Sequence, residues 1–136
     1  MLSPSGPAGQ KGTPMNQLTF SIGPTPATLW GPESGSVFLF VHGLGGNRRE
    51  AAPFAELAVP LGWQVLSVDL PEHGGRRDGA PLLPWAAVPE LQAVDAYLRT
   101  HWRRVSLRAT SIGAWLSLQS LGTVENCLLC SPLLDM

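Results

Sequence analysis

The chain has 136 residues, 44% of them hydrophobic, with nine basic and ten acidic side chains and a formal net charge of −1. That is enough chain for one compact domain with a real core, and the near-neutral charge leaves no cationic excess to follow a phosphate backbone, which argues against nucleic acid as a partner. No apolar run approaches the roughly 18 residues of a membrane span, and the N-terminus lacks the basic-then-apolar order of a signal peptide, so a cytoplasmic protein with no membrane partner is expected.

Residues 1–16, MLSPSGPAGQKGTPMN, combine Pro, Gly and Ser with few large apolar side chains. They are expected to be a disordered tail ahead of a domain spanning residues 17–136, with Met15 as an alternative start. LTFSI and TLW read as two short strands around the turn-rich GPTPA. Residues 36–42, SVFLFVH, are almost entirely apolar and β-rich, the pattern of a strand covered on both faces and central in its sheet. PFAELAV opens with Pro53 at a first helical position and is closed by Pro60 and Gly62.

WQVLSVDL (63–70) is the next apolar strand, followed by the loop PEHGGRRDGAP. Residues 89–102 begin at Pro89 and place Leu91, Val94, Leu98 and Trp102 on one helix face. A strand (104–110), a helix (111–121) and a last strand (126–132) follow. Strands alternating with helices from residue 36 onward imply an α/β fold, a mostly parallel sheet with helices on both faces and right-handed crossovers. Such sheets place their sites at the carboxyl ends of strands.

The two cysteines, Cys127 and Cys130, lie in the apolar run CLLCSP. One C-x-x-C without a second pair is a poor zinc site. On a strand, a spacing of three sends the side chains to opposite faces, so buried, inert thiols are expected and no metal.

Three loops follow strand ends: His42-Gly43-Leu44-Gly45-Gly46, Pro71-Glu72-His73-Gly74 and Ala109-Thr110-Ser111-Ile112-Gly113-Ala114. The last has the form small-x-Ser-x-small between strand and helix. A serine thrust out on so tight a turn needs little bulk two positions away on either side, or strand and helix cannot approach. The helix beginning there gives Ser111 a position at the positive end of the dipole. The backbone N–H of Ile112, and that of Leu44 from a loop bent by Gly43 and Gly45, are candidate oxyanion donors.

His42-Gly43 after the third strand, Asp69-Leu70-Pro71-x-His73-Gly74 after the fourth and Ser111-x-Gly113 after the fifth come in the order found in α/β-hydrolase-fold serine hydrolases, and from about residue 17 onward the chain resembles the first half of such an enzyme. The wider likeness is to bacterial esterase-like or peptidase-like members. The resemblance implies Ser111 as nucleophile, Leu44 and Ile112 as the oxyanion hole, His42, Gly43 and His73 near the substrate, no cofactor, and a small-molecule acyl substrate whose ester, thioester or amide bond is cleaved through an acyl-serine. Ala109 stands where glycine is commonest. Arg108 is a charge in a strand expected to be buried, with Asp69 or Asp135 as a partner, or else an exposed strand end.

The family's triad runs serine, acid, histidine, yet no histidine follows Ser111 and Asp135 is the only later aspartate. His73 is either a loop histidine that shapes its turn or an improvised base. His42 is expected to support the oxyanion loop, and His101 to complement a helix dipole. The chain therefore reads as an incomplete piece of a longer enzyme with little activity alone. Two rivals stand beside that reading. One is a noncatalytic hydrolase-like binding domain. The other is a dinucleotide-binding module with Asp69 on a ribose, against which Arg48 occupies the position its third glycine requires.

Overall fold

A computed structural model describes residues 16–79 and 81–130. The tail expected over residues 1–15, with Met15, the end of the last predicted strand at 131–132, and Asp135 lie outside the described residues. Asn16, assigned to the tail, is tied down, its carbonyl accepting the Gly31 N–H at 2.9 Å.

Six strands form one sheet: β1 (Gln17–Ile22), β2 (Thr25–Trp30), β3 (Ser36–Val41), β4 (Gln64–Val68), β5 (Arg104–Thr110) and β6 (Cys127–Cys130), in the order β1-β2-β4-β3-β5-β6. β1–β2 and β2–β4 are antiparallel, while β3 pairs in parallel with both β4 and β5, and β5 with β6. Among the helices are α1 (Ala52–Ala58), α2 (Pro84–His101) and α3 (Ile112–Ser120). No helix among the described residues is long and apolar enough to cross a membrane.

The apolar run of β3 is explained by two cores. Val37, Leu39 and Val41 pack in one with Leu91, Val94 and Leu98 of α2 and Leu116 of α3. Phe38 and Phe40 point the other way, into a second cluster with Ala55 and Ala58 of α1. Alternate residues thus face different helices, which is why no polar side chain interrupts the central strand.

Three expectations are corrected. β2 starts at Thr25, within the expected turn, because Gly23 at φ +60° begins a two-residue turn of the kind hairpins favour, so the strands pair from Ile22↔Thr25 onward. α2 starts at Pro84, five residues before Pro89, which lies inside the helix. Either proline suits an N-terminal turn, and burial of Ala87 in register with Leu91, Val94 and Leu98 selects the earlier one. Both cysteines are exposed rather than buried, because β6 borders β5 alone among the described residues and most of its side chains face solvent.

Candidate active site

Three loops gather where β3, β4 and β5 end, and the tightest is the turn from β5 into α3. Ser111 caps α3 with φ 56° and ψ −127°, and it shares a positive φ with only one other non-glycine residue among those described, Glu72. An L-residue held there stores on the order of 1–3 kcal/mol and persists only where its surroundings enforce it. The enforcement is steric. A Cβ at Gly113 would overlap the His42 carbonyl oxygen and stand 2.8 Å from that of Val41, so α3 abuts the end of β3 with no room for a side chain. Ala109, two positions before the serine, is completely buried. The expected need for small residues on both sides is thus met by direct backbone approach.

The glycine loop reaches the same point. A Cβ on Gly43 would lie 2.9 Å from the Ser111 Cβ and 3.2 Å from the Thr110 carbonyl oxygen. Gly46 N–H donates to the Gly43 carbonyl at 3.0 Å, and Gly45 takes φ +82°. This is a four-residue turn with a left-handed third position, where glycine is strain-free. Leu44, beside it, is 74% exposed, and among the described residues its N–H donates to no acceptor. Ile112 is the first residue of α3, so its N–H lacks an intrahelical acceptor.

Both histidines brace this loop. The Gly45 N–H donates to His73 Nε2 at 2.9 Å, while His73 Nδ1 lies 2.8 Å from the Pro71 carbonyl. The Leu70 N–H donates to His42 Nε2 at 3.1 Å, and His42 Nδ1 lies 2.7 Å from the Gly43 carbonyl. Each ring must therefore be neutral with its proton on Nδ1. His42 is fully buried. Burial is the main reason its pKa lies below 6.5, reinforced by nearby His73 and opposed by the Gly43 carbonyl, Asp69 and Glu50. With both nitrogens committed, His73 shapes its loop and has no free nitrogen with which to act as a base. His101 sits at the end of α2 with Nδ1 2.8 Å from the Tyr97 carbonyl, one helical turn back.

Asp69, assigned above to a ribose in the nucleotide reading, is closed to any ligand. It is fully buried; Oδ1 accepts the Arg48 N–H at 2.7 Å, and Oδ2 accepts the Gly75 N–H at 2.9 Å together with Arg48 Nη1. Asp69 also displaces itself from the role of partner to Arg108, whose guanidinium instead lies over the rings of Phe40 and Phe54 at 5.6 and 5.8 Å and donates to Thr110 Oγ1 at 3.1 Å.

Sequence reasoning also missed Arg76. Its buried guanidinium donates to both Glu90 oxygens at 2.9 Å and to Asp78 at 2.7 Å, and these carboxylates, Glu90 foremost, raise its pKa further. It clamps the loop after β4 to α2. An arginine in a Gly- and Arg-rich loop gave no local sign of a partner 14 residues on.

The model of the alpha/beta hydrolase family matches residues 38–136, most of the chain. The chain belongs to that family. Solved structures agree at the level of fold. TT1662 from Thermus thermophilus has a TM-score of 0.60 at 19% identity over 77% of this chain and 50% of its own. MenH from S. aureus has 0.63 at 18% over 76% and 41%. A potato epoxide hydrolase variant has 0.64 at 17% over 82% and 39%. The chain thus spans half or less of the length of these structures. The sequence has no significant match among curated proteins. Membership brings the three loops into one scheme, since the strand order β4-β3-β5 places them side by side.

Proposed function

We propose that residues 17–136 are the N-terminal part of a serine hydrolase domain that cleaves an ester, thioester or amide of a small-molecule acyl substrate through an acyl-serine intermediate. The observation that carries the reading is Ser111 at a positive φ at the β5–α3 turn, pressed against the glycine loop. A serine that merely capped a helix would need no such backbone.

In this reading Ser111 Oγ attacks the acyl carbonyl carbon and gives its proton to a general base. The Leu44 and Ile112 N–H groups, free of acceptors within the loop and helix, take the oxyanion that forms on the carbonyl oxygen. Collapse of the tetrahedral adduct breaks the bond to the alcohol, thiol or amine, which leaves with the proton; water then releases the acid. His42 and His73 are positioning residues: they hold the backbone from which Leu44 projects. No cofactor enters the scheme.

None of the three histidines supplies the base, since all precede Ser111 in sequence and the ring nitrogens of His42 and His73 are already engaged. The scheme needs an acid and a histidine to complete it, and the 136-residue chain alone is expected to turn over little or no ester. A second reading, a noncatalytic hydrolase-like domain, draws on the same fact, together with the lack of any hydrogen-bond partner for the Ser111 hydroxyl among the described residues.

A fluorophosphonate probe applied to the full-length protein separates the two readings. Labelling at Ser111 that disappears in Ser111→Ala is expected for the hydrolase; a full-length, folded protein that stays unlabelled at Ser111 refutes it.

A further inference from the structure

A polar cleft lies beside the glycine loop, outside the machinery assigned above. It has a volume of about 310 Å³ and is lined by Asn47, Arg48, Arg49, Gly74, Gly75 and Arg77. No carboxylate and no large apolar side chain is among these residues. Arg48 is neutralised by Asp69, which is buried and fully engaged, and neither Arg49 nor Arg77 has an ion-pair partner among the described residues. The cleft therefore keeps two uncompensated positive charges.

Its charged side chains offer only donors. Asn47 spends its side-chain oxygen on the Arg49 N–H at 2.8 Å, which leaves the amide NH₂. Arg48 uses Nε on Thr28 Oγ1 at 3.0 Å and Nη1 on Asp69, which leaves Nη2. The Gly74 N–H donates to no acceptor among the described residues. Arg77 is held by Nη1 to the Arg76 carbonyl at 2.8 Å, so Nε and Nη2 stay available on an anchored group. Glycine is required at the rim: a side chain at Gly74 would collide with the Asp69 carboxylate, and Gly74 takes φ +58°. Guanidinium groups, an amide and a backbone N–H on residues lining one space are matched by the oxygens of a phosphate or diphosphate.

We infer that this cleft binds the phosphate or diphosphate group of a soluble, phosphorylated acyl substrate. As a statement about substrate this rests on the hydrolase reading above; as a statement about an anion site it stands on the cleft alone. β4, whose loop supplies Gly74, Gly75 and Arg77, is two strands from β5, whose end carries Ser111. At about 4.8 Å per strand the ends of these two strands are on the order of 10 Å apart. That span suits a substrate whose acyl group sits at Ser111 while its charged end is gripped elsewhere.

Calorimetric titration of the protein with inorganic pyrophosphate tests the site. Saturable binding at one site per chain is expected, weakened by added salt and weakened at least tenfold in Arg49→Ala and in Arg77→Ala, with Arg77→Lys recovering part of the loss. Arg49 is exposed, so its variant leaves the fold intact and keeps the test decisive if Arg77→Ala loosens the loop. Absence of saturable binding, or binding indifferent to Arg49→Ala and Arg77→Ala, overturns the proposal. So does sedimentation with phosphatidylglycerol vesicles without binding of free pyrophosphate, which would make the donors a lipid-headgroup surface. Ser111→Ala is expected to bind pyrophosphate as the parent does, so failure of the nucleophile reading and failure of the anion site are read separately.

Discussion

The two faces of the sheet are built differently, and the candidate site depends on each in a different way. On one face, aliphatic side chains of β3, β4 and β5 are sealed beneath α2 and α3, in a core running from Val37 to Leu116. On the other, α1 covers Phe38, Phe40 and Val65 but leaves an apolar groove of about 310 Å³ reaching from Phe54 and Leu57 to Leu128. The sealed face holds Ser111 by shape, through Gly113, Ala109 and Ala114. The glycine loop is held by polar bonds instead: Asp69 with Arg48, the Ser67 hydroxyl on the Arg48 carbonyl at 2.7 Å, and the two histidines. One half of the site is thus held by shape alone, while the other depends on charge and hydrogen bonds as well as on close approach at Gly43.

Volume gives the widest separation. Gly113→Val forces a branched side chain onto the backbone carbonyls of Val41 and His42, which cannot yield without moving β3 or α3. A loss of about 3 kcal/mol or more is expected, at the upper end of what overpacking costs, because the clash is with backbone. Leu57→Ala on the open face, where Leu57 is 71% exposed, should stay within about 0.5 kcal/mol. Urea denaturation of the two variants measures the contrast, and comparable losses would mean the faces are not different in kind.

Charge sharpens the other half. His42 is neutral when folded because burial holds its pKa below 6.5. Between the folded pKa and 6.5 the unfolded chain binds more protons than the native one, so stability is full above pH 6.5, declines below it, and is gone as far as His42 contributes once pH passes the folded pKa. Protonation also turns Nε2 into a donor facing the Leu70 N–H. His42→Leu removes the titration but leaves that buried N–H unpaired at every pH, at a cost of about 1–3 kcal/mol. Denaturation midpoints from pH 5 to 8 should fall toward acid in the parent and flatten in His42→Leu; an equal slope in both would place the sensitivity elsewhere.

What could be read from sequence follows the same division. The elbow depends on residues two positions from Ser111, and β3 on its apolar run, so local chemistry was sufficient for both. The polar bracing was not legible, because Arg48 and Asp69 are 21 residues apart and Gly45 and His73 are 28 apart, and nothing near either member names the other. The cysteines failed for a related reason. An apolar C-x-x-C run looks the same in a central strand as in one with a single neighbour, which is what β6 has among the described residues. Pro89 misplaced a helix start because the residue types allow two starts and tertiary burial chooses between them.

Arg108 supplies the finest test, since it is the one charge β5 turns toward the open face in the neighbourhood of Phe40 and Phe54. It lines a cavity of about 440 Å³ there with Glu50, Phe54 and Thr110. A guanidinium over aromatic rings with solvent at hand contributes about 0.5–1 kcal/mol; were the same group sealed from water without a carboxylate, removing its charge would be neutral or favourable. Arg108→Met keeps much of the length and apolar stem but not the charge or the bond to Thr110. In urea denaturation a loss of up to about 1 kcal/mol is expected if this face is as open in solution as it is here. A variant more stable than the parent would mean that the groove is covered in the folded protein, and the division between a sealed and an open face would then describe these residues alone rather than the protein at work.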